Sequence, residues 1–255
     1  CNGLALDGSG LIPYGATFMC FTDYMRAAIR LSALSEAGVI YIMTHDSIAL
    51  GEDGPTHQPV EHIASLRAIP DLYVIRPADG NETSGAYKVA IAAARGKRAG
   101  KKTRPSLLAL SRQTVPNLAG SSIEGVTKGG YVLSDSDGTP DLILIGTGSE
   151  TQLCVKAADQ LRGEGKKVRV VSMPCWEVFE EQDEQYRESV LPKSVTKRVA
   201  VEAGVSFGWC RYTGNEGATV SVNQFGSSAP GGVCMEKFGF TVDNVVSKAK
   251  QLLAA

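Results

Sequence analysis

The chain has 255 residues, 43% of them hydrophobic and 21% charged, and its 26 Lys and Arg against 27 Asp and Glu give a formal net charge of −1. This length is enough for one large domain or two modest ones with buried cores. The charge balance excludes nucleic-acid binding through a basic surface, and no apolar run approaches the roughly 20 residues that span a bilayer. Six scattered cysteines without a C-x-x-C pair argue against a zinc site and against a small disulfide-stabilised fold.

Short β-branched runs alternate with helix-like stretches along the chain. The runs expected to form buried strands are Val39–Thr44, Leu72–Ile75, Leu107–Leu110, Leu142–Ile145, Val168–Val171, Arg198–Val201 and Ala218–Val222. The stretches expected to form helices are Tyr24–Leu34, Pro59–Ile69, Gly80–Arg95, Ser149–Arg162 and Thr241–Leu253. This alternation predicts an α/β protein built from two three-layer α/β units with mostly parallel sheets.

The composition changes around residues 113–130, where Pro, Asn, Ser and Gly are frequent. Such a composition is typical of a linker between domains. We therefore predict one unit at residues 1–116, a linker at residues 117–130 and a second unit at residues 131–255. The basic run Arg95–Arg104 has no aromatic residue within it, so we interpret it as a solvated loop.

The segment richest in reactive side chains is Thr44–Pro59, with the sequence T-H-D-S-I-A-L-G-E-D-G-P-T-H-Q-P. It follows a predicted strand, and ligands of open α/β sheets bind beyond the carboxyl ends of strands. Its glycines and Pro55 provide turns that could bring His45 and His57 together, and Asp53 lies between them. Imidazole and carboxylate groups of this kind bind hydroxyls and phosphate. Two competing interpretations are a metal site, although a spacing of twelve residues between the histidines matches no usual ligand pair, and simple turn formation.

Two further patterns each have a structural and a functional interpretation. Phe18, Phe21 and Tyr24 recur every three residues, either as a helix face or core wall or as a stacking platform for a flat heteroaromatic ring. The run Gly146–Ser149 follows a strand and precedes a helix, so it is either a phosphate loop or a tight turn. We favour the turn for this second pattern.

Several motifs, in order along essentially the whole chain, resemble the transketolase family, the thiamine-diphosphate enzymes of sugar phosphates. They are Pro13-Tyr14-Gly15-x-Thr17-Phe18, Thr44–Pro59, Arg76-Pro77-Ala78-Asp79-x-Asn81-Glu82, Ser111-Arg112-Gln113, Gly129-Gly130-Tyr131, Gly146-Thr147-Gly148-Ser149-Glu150 and Phe238-Gly239-Phe240. Members of this family consist of a diphosphate-binding, a pyrimidine-binding and a C-terminal domain and work as homodimers. The resemblance implies that this chain is the later part of the pyrimidine-binding domain followed by the C-terminal domain.

The resemblance implies a role for each residue of the histidine-containing segment and its surroundings. His45 and Arg112 correspond to residues that bind the phosphate of the sugar, since an Arg fork suits a dianion. Asp53 corresponds to the residue that binds the hydroxyl next to the carbonyl and so selects the stereochemistry of the sugar. His57 corresponds to a catalytic residue near the reacting carbon, where it orients oxygens and assists proton transfer.

The resemblance also implies which cofactor groups this chain would hold. Phe18, Phe21 and Tyr24 correspond to the pocket around the aminopyrimidine of thiamine diphosphate. The glutamate that promotes ylid formation and the motif that binds Mg or Ca with the diphosphate belong to regions upstream, so we assign no metal ligand here. Ala49 replaces a glycine usual in the family, at a cost on the order of 1 kcal/mol if its backbone is left-handed.

The chain begins with Cys-Asn-Gly-Leu-Ala-Leu and has no initiator Met, signal peptide or transit segment. We therefore expect a fragment that is inactive alone and needs sugar phosphates, the missing N-terminal region and a second subunit. A related dihydroxyacetone synthase and a non-catalytic dimerisation or complementing subunit remain alternatives. The compartment is the cytoplasm or the plastid stroma, with a slight preference for the plastid.

Overall fold

The computed structural model describes residues 1–254, which form two sheets with helices around each. The first sheet has four parallel strands in the order β1-β2-β4-β3. They are β1 (Tyr14–Phe18), β2 (Ile40–Thr44), β3 (Tyr73–Ile75) and β4 (Ser106–Leu110). The helices of this half are α1 (Asn2–Leu6), α2 (Thr22–Leu34), α3 (His62–Arg67), α4 (Gly80–Ala94) and α5 (Ile123–Val126). Because the strands are parallel, their carboxyl ends share one edge of the sheet.

The second sheet has five strands in the order β5-β7-β6-β8-β9, and all its pairs are parallel except β5 with β7. The strands are β5 (Tyr131–Ser134), β6 (Leu142–Gly146), β7 (Val168–Ser172), β8 (Arg198–Val201) and β9 (Ala218–Val220). The helices are α6 (Thr151–Gly163), α7 (Trp176–Glu180), α8 (Glu184–Val190), α9 (Cys210–Thr213), α10 (Gly231–Lys237) and α11 (Val242–Ala254).

The inner strands β2, β4, β6 and β7 are buried on both faces, which is why they read as continuous apolar runs. In β6, Leu142 and Leu144 pack into one core cluster, together with residues of α6 and α11, whereas Ile143 and Ile145 pack into another with Trp209. Two further clusters lie on the two faces of the first sheet. The expected α/β class with two three-layer units and mostly parallel sheets is therefore confirmed.

The sequence prediction differs from the structure in several elements. All seven predicted strands are present, but β1 and β5 were not predicted. Helix α3 begins at His62 instead of Pro59, because turns occupy residues 52–53 and 55–57 and a bend occupies residues 60–61. The predicted linker contains α5, whose Val126 is fully buried against the first sheet. Within the described residues, no helix combines the length and apolarity needed to cross a membrane.

Candidate active site

The histidine-containing segment Thr44–Pro59 leaves the carboxyl end of β2 through a strained residue. His45 has a φ of 59°, a left-handed conformation that is uncommon for a residue with a side chain. Its Nδ1 lies 2.9 Å from the Thr44 hydroxyl, which fixes the imidazole orientation. The backbone strain at His45 turns the chain sharply and holds the ring at the sheet edge.

The remainder of this segment is fastened to the second half of the chain. Gln58, which is only 3% exposed, donates from Nε2 to the carbonyls of Gly51 (3.1 Å) and Ser227 (3.0 Å). The backbone around Ala49 packs against Gly231, where a Cβ would lie 2.1 Å from the Ala49 carbonyl oxygen. Ala49 does not have a positive φ, so the conditional cost of replacing glycine does not apply.

The structure brings the two predicted histidines and two of the aromatic residues into one cluster. The rings of Phe18 and His45 are stacked with centroids 3.6 Å apart. His57 meets Phe21 edge-on at 5.4 Å and Phe18 at 6.4 Å. The cluster therefore places both imidazoles beside one aromatic surface, although their positions in the sequence are twelve residues apart.

The three aromatic residues do not share a helix face, so the helix-face interpretation of their spacing is wrong. Phe18 ends β1, Phe21 lies in a 3₁₀ turn and Tyr24 lies in α2. Their centroids follow one another at 6.2 and 6.1 Å, and Tyr24 is 88% exposed at the outer end of the row. An open row of apolar rings of this kind fits a flat heterocycle that stacks on it.

The charges of Arg112 and Asp53 act on His45. Partial burial lowers the pKa of His45, the positive charges of Arg112 and His57 lower it further, and the carboxylates of Asp53 and Asp46 oppose this shift. All four charged groups therefore act on one imidazole. Because Arg112 and Asp53 are both exposed, their side chains are free to meet a polar ligand.

A buried ion network under the site was not predicted from the sequence. Arg76, directly after β3, is fully buried and donates from Nε to Asp46 Oδ2 at 2.8 Å and from Nη1 to Glu150. Glu202, directly after β8, accepts hydrogen bonds from both terminal nitrogens of Arg67, at 2.8 and 3.0 Å. The available signal was a charged residue directly after two of the strands, Arg76 after β3 and Glu202 after β8.

The charges of this network stabilise one another across the two halves of the chain. Burial alone would lower the pKa of Arg76, but Glu150, Asp46 and Glu202 overcome this effect and raise it. Burial raises the pKa of Glu202 less than Arg67 and Arg76 lower it, so the pKa of this carboxyl falls below its usual value. The guanidinium and this carboxylate are therefore both held in the charged form.

The Gly146–Ser149 run is a turn packed against this network. The Gly148 amide donates to the Arg76 carbonyl at 3.1 Å, and the Thr147 carbonyl accepts from Arg76 Nη1 at 3.3 Å. A Cβ on Gly148 would lie 2.7 Å from the Arg76 guanidinium carbon. The run therefore contacts a protein cation, which agrees with the turn interpretation.

Comparisons with known proteins match this architecture in both halves. Residues 1–117 match the family model for the transketolase pyrimidine-binding domain, and residues 129–241 match the model for the transketolase-like C-terminal domain. The chain is thus a two-domain α/β protein of the class that joins a pyrimidine-binding domain to this C-terminal domain. It belongs to the transketolase family.

Individual relatives agree over nearly the whole chain. It is 70% identical over 253 residues to the transketolase of Nostoc sp., and this match covers 99% of this chain and 37% of the relative. It is 60% identical to the chloroplastic transketolase of Solanum tuberosum, covering 99% of this chain and 33% of the relative. The crystal structure of a Pichia stipitis transketolase mutant in complex with xylulose-5-phosphate superposes with a TM-score of 0.90 at 44% identity, covering 99% of this chain and 35% of that one. The chain thus spans about a third of the length of these relatives.

Proposed function

We propose that this chain supplies the substrate-facing part of a transketolase active site, in which a two-carbon ketol unit passes between phosphorylated ketose and aldose sugars. The observation that carries the proposal is the cluster of His45 and His57 on an open aromatic row, with Arg112 and Asp53 near enough for their charges to shift the pKa of His45. Residues 1–116 would form the pyrimidine-binding part and residues 131–255 the C-terminal domain, joined by residues 117–130. The chloroplastic relatives support the plastid as its compartment.

Each polar residue of the cluster has a distinct part in this proposal. Arg112 and His45 bind the phosphate of the sugar, with the guanidinium as a two-pronged donor to the dianion. Asp53 accepts a hydrogen bond from the hydroxyl beside the sugar carbonyl, and the wrong epimer leaves this carboxylate without a partner. His57 lies near the reacting carbon, where its imidazole orients oxygens and moves a proton.

The aromatic row would hold the cofactor. Phe21 and Tyr24 offer ring faces to the aminopyrimidine of thiamine diphosphate, while Phe18 already has His45 stacked on it. The cofactor, when bound, supplies stabilisation of the carbanion that carries the two-carbon unit. The diphosphate and its Mg or Ca ion would be held by regions outside this chain, and the second subunit would complete the pocket.

The phosphate role of Arg112 can be tested in a full-length transketolase that carries this chain in place of the matching residues of the Nostoc relative. We expect Arg112→Ala to raise KM for xylulose-5-phosphate by about 10-fold or more, since it removes a charge-assisted contact, and to leave KM for unphosphorylated hydroxypyruvate nearly unchanged. The matched control is Arg211→Ala, which removes an exposed arginine from α9.

An equal loss with both donors would contradict the phosphate role of Arg112. Formaldehyde and ribose-5-phosphate assayed as alternative acceptors in the same enzyme distinguish a dihydroxyacetone synthase from a transketolase. The isolated chain serves as the blank, because the cofactor-activating groups lie outside it in the proposed assembly.

A further inference from the structure

A continuous hydrogen-bonded path through the second unit connects the neighbours of the two proposed phosphate-binding residues. Gln113, which follows Arg112, donates from Nε2 to the Ser149 hydroxyl at 2.9 Å. The Ser149 hydroxyl in turn donates to Glu150 Oε1. Both Ser149 and Glu150 belong to the turn after β6, so this half of the path leaves the first unit and enters the second.

The other half of the path returns to the first unit beneath His45. The second oxygen of Glu150, Oε2, accepts from Arg76 Nη1 and from the Ala203 amide at 2.8 Å. Arg76 Nε then donates to Asp46 Oδ2 at 2.8 Å, and Asp46 follows His45. Because Gln113 follows Arg112 and Asp46 follows His45, the path links the two proposed phosphate-binding residues.

The members of the path have little freedom to move. Glu150 and Arg76 are fully buried, Asp46 is 1% exposed and Ser149 is 3% exposed. Each oxygen of Glu150 has a different donor, so a shift of this carboxylate would break contacts on both sides. Asp46 Oδ1, Arg76 Nη2 and Gln113 Oε1 are buried without a hydrogen-bond partner, so the rigidity of the path rests on the bonds that are made and on the burial around them.

We propose that Ser149 and Glu150 of the second unit are positioning residues that set the spacing between His45 and Arg112 for the phosphate of the substrate. The inference rests on the proposed function, because it assigns the phosphate to these two residues. It gives the C-terminal unit a direct part in substrate selection without placing any of its side chains in contact with substrate.

The test uses the full-length chimeric enzyme with two single variants. Ser149→Ala removes the central hydroxyl, and Gln113→Leu removes the donor at a less buried position that tolerates an apolar side chain better. We expect each to raise KM for xylulose-5-phosphate by about 10-fold, with kcat and KM for hydroxypyruvate changed by less than about twofold, because small displacements of binding groups act mainly on the phosphate contact. The double variant should be no worse than either single variant, since both break the same link.

The matched control is Tyr131→Phe. It also removes a buried hydroxyl that joins the two units, since the Tyr131 hydroxyl donates to Glu82 Oε1 at 2.7 Å, but it lies outside the path. We expect it to leave both KM values unchanged. If the Tyr131 variant shows the same selective effect, or if Ser149→Ala and Gln113→Leu affect both donors equally or neither, the positioning role is wrong.

Parallel measurement of Arg112→Ala separates the two proposals. If Arg112→Ala discriminates between the donors and the path variants do not, the positioning role fails while the proposed function stands. If Arg112→Ala does not discriminate either, the phosphate assignment fails and the positioning role fails with it.

Discussion

Replacement of Arg76 by methionine should destabilise the chain severely. The side chain is fully buried, and its removal leaves Asp46 and Glu150 as buried carboxylates without their cation. Breaking a buried ion pair by removing one partner costs about 3–5 kcal/mol. The free energy of unfolding of native proteins is about 5–15 kcal/mol, so the variant would lose a large part of its stability.

Urea unfolding of this chain, followed by circular dichroism, measures the loss. Lys193→Met is the matched control, because Lys193 pairs with Glu184 where both side chains are about three-quarters exposed (75% and 74%), and no measurable change is expected. Burial raises the pKa of Glu150, so once Arg76 is gone this carboxyl takes up a proton on acidification. A carboxyl whose pKa is raised in the folded chain destabilises it while ionised, so the deficit of Arg76→Met should shrink as the pH falls from neutral towards the ordinary carboxyl pKa of 4.5. A deficit equal to that of Lys193→Met, or one that grows on acidification, would refute the reasoning.

Two further predictions concern the site and its supporting turn. NMR titration of the histidine rings should place the titration midpoint of His45 below the ordinary value of 6.5. Arg112→Ala should raise this midpoint because a positive charge near the ring is lost. Asp53→Asn should lower the midpoint because a negative charge near the ring is lost. If neither variant moves the midpoint, the four groups do not share one site. Gly148→Ala should destabilise the chain by about 1–3 kcal/mol in urea unfolding, because the φ of Gly148 is +59° and the new methyl group would collide with the buried Arg76 side chain. The control is Gly163→Ala, where the methyl group enters open space and the free energy of unfolding should stay the same or rise. Equal effects of the two glycine changes would count against this account of the turn.

The sequence predicts the central strands well because those strands are buried on both faces and therefore have unbroken apolar runs. Strand β1 was missed because it lies at a sheet edge, contains Gly15 and Ala16 and is partly exposed, so its residues show neither a continuous run nor a clear alternation. The start of α3 was misplaced because Pro59 suits a first helical turn locally, whereas the preceding turns extend further.

The residues of the candidate site also differ in whether the sequence alone could group them. His45, Asp53 and His57 could be grouped from the sequence because one short loop carries all three. The ion network could not, since Arg76 and Glu150 are 74 residues apart and Arg67 and Glu202 are 135 apart, and only the packing of the two units joins them. Single-sequence patterns report local periodicity, and they carry no information on which strand ends face each other.

The left-handed backbone at His45 sets stability and activity against each other. This backbone conformation destabilises a histidine by roughly 1–3 kcal/mol; glycine would avoid the destabilisation and asparagine would reduce it. Laboratory evolution guided by heat resistance alone would therefore enrich glycine or asparagine at this position, and under the proposed phosphate role of His45 such variants would lose affinity for phosphorylated sugars. Engineering for durability should hold His45 fixed and seek its gains elsewhere.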